Sequence, residues 1–140
     1  GARTVLVTCA GPDGLGGAAD LLLALDTGPE VLAGSTRLKA GSATKAALNA
    51  ITTAAMVRLG KVYRGWMVDL RPASAKLRDR AVRIVAEAGG VRRERAEELL
   101  AEAGGEVKTA LVTARAGVSP DEARRRLAAA GGSVRRALDD

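Results

Sequence analysis

One stretch of the chain, Gly34-Ser35-Thr36-Arg37-Leu38-Lys39-Ala40-Gly41-Ser42-Ala43-Thr44-Lys45, crowds hydroxyls, cations and glycines into the start of a segment that otherwise reads as helix. A helix N-terminus offers unpaired N–H groups and a partial positive charge. Hydroxyl and ammonium donors added there complete a seat for a phosphate or another anionic group. At 100° per residue, Ser35, Lys39, Ser42, Asn49 and Thr53 fall within about 80° of arc and make a polar stripe, while Leu48, Ile51 and Leu59 lie away from it. An anionic sugar is a natural ligand for such a stripe. The same residues also have a purely structural reading, in which Ser35 or Thr36 caps the helix and Arg37 and Lys39 are solvated or pair with acids. Glu30 has two readings as well. It could act as a general base, or it could close a capping box of the form Thr27-x-x-Glu30, which explains it without chemistry.

The elements that must position these residues follow from the apolar pattern. Thr4-Val5-Leu6-Val7-Thr8-Cys9, ended by Gly11-Pro12-Asp13-Gly14, reads as a buried strand of the kind parallel sheets use, and the run 21–25 reads as a second. Two strands are marginal alone, so the rest of the sheet is expected in sequence preceding Gly1. Residues 34–59 read as one long helix ended by Gly60, and Trp66 to Leu70 as a short apolar run with Asp69 inside it, closed by Pro72. After Pro72 the pattern is short helices over 74–88, 92–103, 106–116, 120–130 and 133–138. Ser119-Pro120-Asp121-Glu122 is a helix start, with Ser at the N-cap and Pro at the first helical position. The segment 96–111 aligns with 123–138 at nine of sixteen positions, glycine pairs in register, so each unit is a helix, a Gly-Gly cap and a second helix. The fold class expected is α/β: a partial parallel sheet flanked by helices over 1–72, then a small all-α bundle over 73–140.

Composition narrows the partners. The 140 residues carry 22 Lys and Arg against 16 Asp and Glu, a net charge of +6, with Tyr63 and Trp66 as the aromatics. Basic residues after position 73 alternate with acids, as in Arg92-Arg93-Glu94-Arg95, which is the look of solvated helix faces. The aromatic residues that single-strand binders interleave with charge are missing, so no nucleic-acid partner is expected. No apolar run reaches the roughly 18 residues of a spanning helix, and no leader pattern opens the chain, so a cytoplasmic protein without a membrane partner is expected. Cys9 cannot form an internal disulfide and reads as a small residue at a strand end. No metal or cofactor is expected. The opening Gly1-Ala2, running straight into a strand, suggests part of a longer chain.

The run Gly28-Pro29-Glu30-Val31-Leu32-Ala33-Gly34-Ser35-Thr36-Arg37-Leu38-Lys39, continuing to Lys45, resembles the signature shared by N-acetylmuramic acid 6-phosphate etherases and glucokinase regulatory proteins. The resemblance extends through Ala55-Met56-Val57-Arg58-Leu59-Gly60-Lys61-Val62-Tyr63, Met67-Val68-Asp69-Leu70 and Lys76-Leu77-Arg78-Asp79-Arg80-Ala81 into the helical tail. Arg64-Gly65-Trp66 and Ala10-Gly11-Pro12-Asp13 depart from the family's usual turns. The resemblance implies a sugar isomerase-type (SIS) domain working as a homodimer, with Glu30, Ser35, Thr36, Arg37, Lys39, Ser42 and Lys45 on the sugar-phosphate substrate. It implies an etherase, a carbon–oxygen lyase of cell-wall amino-sugar recycling. Cleavage of the lactyl ether gives N-acetylglucosamine 6-phosphate and D-lactate, with glutamates as acid and base. No segment here matches the family's catalytic glutamate segments, so no catalytic residue is assigned and the isolated chain is expected to be inactive. Two alternatives remain: a non-catalytic sugar-phosphate sensor like the regulatory proteins, and a ubiquitin-associated-like helical module that binds a protein partner.

Overall fold

The β-branched run near the N-terminus becomes a strand, β1 (Val5–Thr8), which pairs in parallel with β2 (Leu21–Ala24) in the register Val5↔Leu21 to Thr8↔Ala24. This is a computed structural model; it describes residues 1–139, and the chain packs as two units, Gly1–Ala54 and the remainder from Ala55 onward. One side chain closes the connection between the strands. Asp20 Oδ2 accepts from the Thr4 N–H at 2.6 Å and from the Thr4 hydroxyl at 2.8 Å, and the Asp20 N–H donates back to Thr4 Oγ1 at 3.1 Å. These bonds hold the Asp20 carboxyl below its ordinary pKa, the Thr4 backbone N–H contributing most. After β2 the chain turns and enters α1 (Lys39–Arg58).

α1 begins five residues later than the hydrophobic period suggests. Residues 34–38 are turns, with Gly34 at φ +80°, and a helix starts where its first N–H groups find partners. α1 ends as expected. Gly60 adopts φ +68°, its N–H donates to the Val57 carbonyl at 3.0 Å, and the Lys61 N–H donates to the Met56 carbonyl at 3.0 Å, a Schellman termination. A side chain at Gly60 would also crowd Ser133, whose Cα lies 3.1 Å from the position a Cβ would take. No residue of the first unit is buried, and α1 has no buried residue.

The second unit holds the core. β3 (Val62–Tyr63) and β4 (Trp66–Met67) form an antiparallel hairpin whose two-residue loop, Arg64 at φ +48° and Gly65 at φ +80°, has the dihedrals of a type I′ turn. The apolar run expected over 66–70 is therefore a strand only at its start. Beyond it come α2 (Ala75–Gly89), α3 (Arg93–Glu102), α4 (Val107–Ala116), α5 (Pro120–Ala129) and α6 (Val134–Ala137). Each lies within a residue or two of its expected span. Tyr63 and Val68 sit in one buried cluster with Ile84, Leu99, Val107, Leu111 and Val134. Packing of Tyr63 and Val68 into this cluster places the hairpin in the same compact unit as the helices, a unit that starts at Ala55, inside α1.

The internal repeat is structural. In the first copy the Gly105 N–H donates to the Leu100 carbonyl at 2.8 Å; in the second the Gly132 N–H donates to the Leu127 carbonyl at 2.7 Å. Both glycine pairs have positive φ, which glycine adopts without steric cost. The paired positions Ala96 and Ala123, Leu100 and Leu127, Val107 and Val134, and Ala110 and Ala137 are all buried. Ser119 accepts from the Glu122 N–H as the expected N-cap of α5.

Candidate functional site

The start of α1 is organised by an acid from nine residues upstream. Glu30 Oε2 accepts from the Lys39 N–H at 2.9 Å and Oε1 from the Ala40 N–H at 3.0 Å. The next two donors are also taken, Gly41 N–H by the Thr36 carbonyl at 2.8 Å and Ser42 N–H by the Leu38 carbonyl at 3.2 Å. A carboxylate thus occupies the anion seat that the helix N-terminus provides. The Ala40 N–H first, then that of Lys39, holds the Glu30 carboxyl below its ordinary pKa. Glu30 is a cap, as one of its sequence readings had it, but it caps α1 from a distance rather than a short turn begun by Thr27. In that turn the Gly28 N–H donates to Asp26 Oδ1 at 3.2 Å.

Beside this cap lies an open hollow of about 780 Å³, formed within the first unit. Glu30, Thr36 and Lys45 line it, together with Cys9, Thr27, Gly28, Gly41, Thr44, Leu48 and Asn49. Ser35, Arg37 and Ser42 do not line it, and Lys39 places its Nζ beside Gly28, 3.8 Å from where a Cβ would stand. The side of α1 that faces the hollow is therefore the row Gly41-Lys45-Asn49 beside Ala40-Thr44-Leu48, about a third of a turn from the expected stripe. Of that stripe only Asn49 reaches the hollow, and Ser35 precedes the helix.

Gly41 allows this arrangement, since a Cβ there would stand 3.3 Å from the Thr36 carbonyl. Cys9 is more than a strand-end filler. Its Sγ lies 3.4 Å from the Ala40 carbonyl oxygen and 3.4 Å from Thr44 Oγ1, tying the end of β1 to α1. Thr27, read from the sequence as the opening residue of a capping box, and Thr44, part of the polar stretch, were not among the residues expected at the ligand, yet both line the hollow. Lys45 makes no ion pair among the described residues, so its ammonium is available to an anion, and Glu30 is the one carboxylate lining the hollow.

A second concavity, of about 830 Å³, lies in the helical unit and is lined by Asp69, Arg71, Glu106, Lys108 and Arg124 among others. Most of its charges are already matched. Asp69 takes Lys61 at 3.0 Å and Lys108 at 3.1 Å, and Lys108 also donates to the Gly132 carbonyl at 2.9 Å. Glu106 takes Arg124 at 2.9 Å and the Thr109 hydroxyl at 2.8 Å. Lys61 chiefly, then Lys108, lowers the pKa of Asp69; the Thr109 hydroxyl and then Arg124 lower that of Glu106. The cleft is braced rather than poised to bind. No group of His, Cys, Asp and Glu among the described residues could hold a metal ion, and none of their helices is long and apolar enough to cross a membrane.

Comparison with known proteins gives the chain its relatives. It is 49% identical over 112 residues to the N-acetylmuramic acid 6-phosphate etherase of Geobacillus thermodenitrificans, covering 80% of this chain and 38% of that protein. The etherase of Rubrobacter xylanophilus is 56% identical over 112 residues, 80% of this chain and 37% of its own length. That of Deinococcus radiodurans is 53% identical over 95 residues, 68% of this chain and 31% of its own. The chain thus spans about a third of the length of the curated relatives it matches. No family model matches it.

Proposed function

We propose, on the premise that this chain is a relative of the N-acetylmuramic acid 6-phosphate etherases, that it supplies the sugar-phosphate-binding helix α1 of such an enzyme and the helical unit after it. One observation carries the reading: Glu30, Thr36 and Lys45, all from the run that carries the resemblance, line one hollow, and the Lys45 ammonium makes no ion pair among the described residues. In the proposed reaction of the whole protein a base takes the proton next to the opened aldehyde. The carbon–oxygen bond of the lactyl ether breaks with D-lactate as leaving group, and water adds at the carbon it left, giving N-acetylglucosamine 6-phosphate. This chain's share is to bind and orient. Glu30 has both oxygens in backbone hydrogen bonds, which leaves the hollow without a carboxylate free to move a proton. The acid and base are then glutamates outside these 140 residues.

In the same reading residues 1–72 are the later part of a SIS-type domain and 73–140 a helical module, in a cytoplasmic homodimer. The engaged Glu30 also favours a second reading, a sensor that binds sugar phosphate without turning it over. D-lactate release from N-acetylmuramic acid 6-phosphate separates the two, measured with this chain and with a longer gene product containing it. Release from the longer protein alone is expected. Release from the 140 residues by themselves overturns the division of labour, and silence from both leaves the sensor.

A further inference from the structure

Among the described residues one buried side-chain oxygen has no hydrogen-bond partner, Oγ1 of Thr113 in the last turn of α4, and Thr113 itself is 7% exposed. A hydroxyl withdrawn from water without a substitute costs stability, so folded chains rarely leave one. Thr113 also lines a cleft of about 480 Å³ between α3 and the turn that joins α4 to α5, wholly within the second unit. Small-molecule sites have volumes of about 300–1,000 Å³.

The wall of this cleft is aliphatic, made by Val91, Leu99, Ala114, Val118 and Pro120, and two charges of opposite sign, Arg95 and Glu102, line it as well. Arg95 Nη1 donates to Glu98 Oε2 at 2.7 Å and to Glu102 Oε1 at 3.0 Å. Among the described residues Nε and Nη2 of Arg95 and Oε2 of Glu102 have no partner. Nε and Nη2 form the fork with which a guanidinium grips a carboxylate through two parallel hydrogen bonds.

We propose that this cleft binds a free aliphatic amino acid of the leucine, isoleucine and valine class. The α-carboxylate takes the open fork of Arg95, the α-ammonium takes Oε2 of Glu102, and the branched side chain covers the aliphatic wall. The Thr113 hydroxyl gains the partner it lacks by donating to the ligand carboxylate. The Arg95–Glu102 pair is about half exposed and contributes little on its own, so sharing its charges with a zwitterion costs little. A ligand held this way bridges α3 and the α4–α5 turn, and binding the folded unit alone stabilises it. The site does not depend on the sugar-phosphate reading of the first unit.

The test titrates leucine, isoleucine and valine into the full 140-residue chain and follows its amide resonances. Saturable shifts at the cleft residues are expected, with a Kd of about 1 mM. N-Acetyl-leucine amide keeps the side chain and loses both charges, and should bind about tenfold more weakly than leucine. Arg95→Gln and Glu102→Gln lie at the surface, so they keep the fold, which circular dichroism verifies, and each should weaken leucine about fivefold. Thr113→Val should move two readouts in opposite directions. A methyl in place of the orphan hydroxyl raises the midpoint of denaturant unfolding without ligand, while leucine binds about fivefold more weakly. Unchanged leucine affinity in Thr113→Val, or in both Arg95→Gln and Glu102→Gln, overturns the proposal. If the capped amide binds as tightly as leucine, the cleft takes a peptide segment and the proposal is again overturned, as it is if none of the three amino acids gives a saturable shift.

Discussion

Glu30 caps a helix that begins nine residues after it, and its charge is what makes the cap strong. Glu30→Ala should leave the Lys39 and Ala40 N–H groups to water and speed their hydrogen exchange, with Glu30→Gln in between; unchanged exchange in both variants would rule out the cap. The same acid sets a pH dependence. Its pKa is lower in the folded chain than in the unfolded one, so the cap is fully present at neutral pH and fades as pH falls from the ordinary carboxylate range through the folded value. Asp69 and Glu106 behave alike in the helical unit. Asp69→Asn and Glu106→Gln should therefore flatten the acid limb of a stability-against-pH curve. At neutral pH Asp69→Asn should cost about 1 kcal/mol, less in high salt, because its carboxylate is partly open to solvent. The sequence concealed this residue scale more than any other. A capping box is legible at a spacing of three, but a carboxylate reaching nine residues forward, or Cys9 meeting Thr44 across 35 positions, depends on where the chain turns.

At the scale of elements the reading from sequence went further. Helix after helix of the second unit lies near its expected span, because each has a local stop or start: Gly60, Gly90 and Gly117 in the left-handed region, Ser74, Ser119 and Ser133 as caps that accept a backbone N–H. The start of α1 was misplaced because its cap is not local, and the polar stripe went with it, since the face of a helix can be computed only from residues that belong to it. Gly60→Ala tests one of these stops. A left-handed dihedral and the contact with Ser133 together should cost about 1–2 kcal/mol, read by denaturant unfolding. Core positions should cost more. Ile84→Ala or Leu111→Ala, both fully buried, should lose about 2–5 kcal/mol, whereas Ile51→Ala on exposed α1 should change stability by less than about 0.5 kcal/mol.

The molecule as a whole distributes its apolar surface unevenly. Every fully buried side chain lies in the second unit, while Val31, Leu32, Leu21 and Leu48 stand exposed in the first. Amide exchange should accordingly be slowest in α2 to α5 and fast in β1, β2 and the first half of α1. Exposed apolar residues beside a two-stranded sheet with open edges should also make the chain associate in solution. Light scattering checks this, and a monomer at high concentration would contradict it. The α/β class, the parallel pairing and the helical tail were all legible in the pattern of apolar runs. That two strands are marginal alone was legible as well; that not one residue of the first unit is buried was not, because hydropathy reports what a segment is fit to pack against and not whether that surface is met.

The repeated helix, glycine pair and helix bears on how the second unit reaches its structure. Two segments 27 residues apart carry the same caps and nearly the same buried positions, so a collapsing chain can seat the later copy where the earlier one belongs. One pair of equivalent positions prevents this. Leu99 is buried, whereas Arg126 at the matching place pairs with Glu122 at the surface, and an arginine forced into the Leu99 seat would be a charge without a partner. Leu99 and Arg126 thus act together as a proofreading mark on the order of the helices, and making them alike would leave the chain two ways to be nearly right.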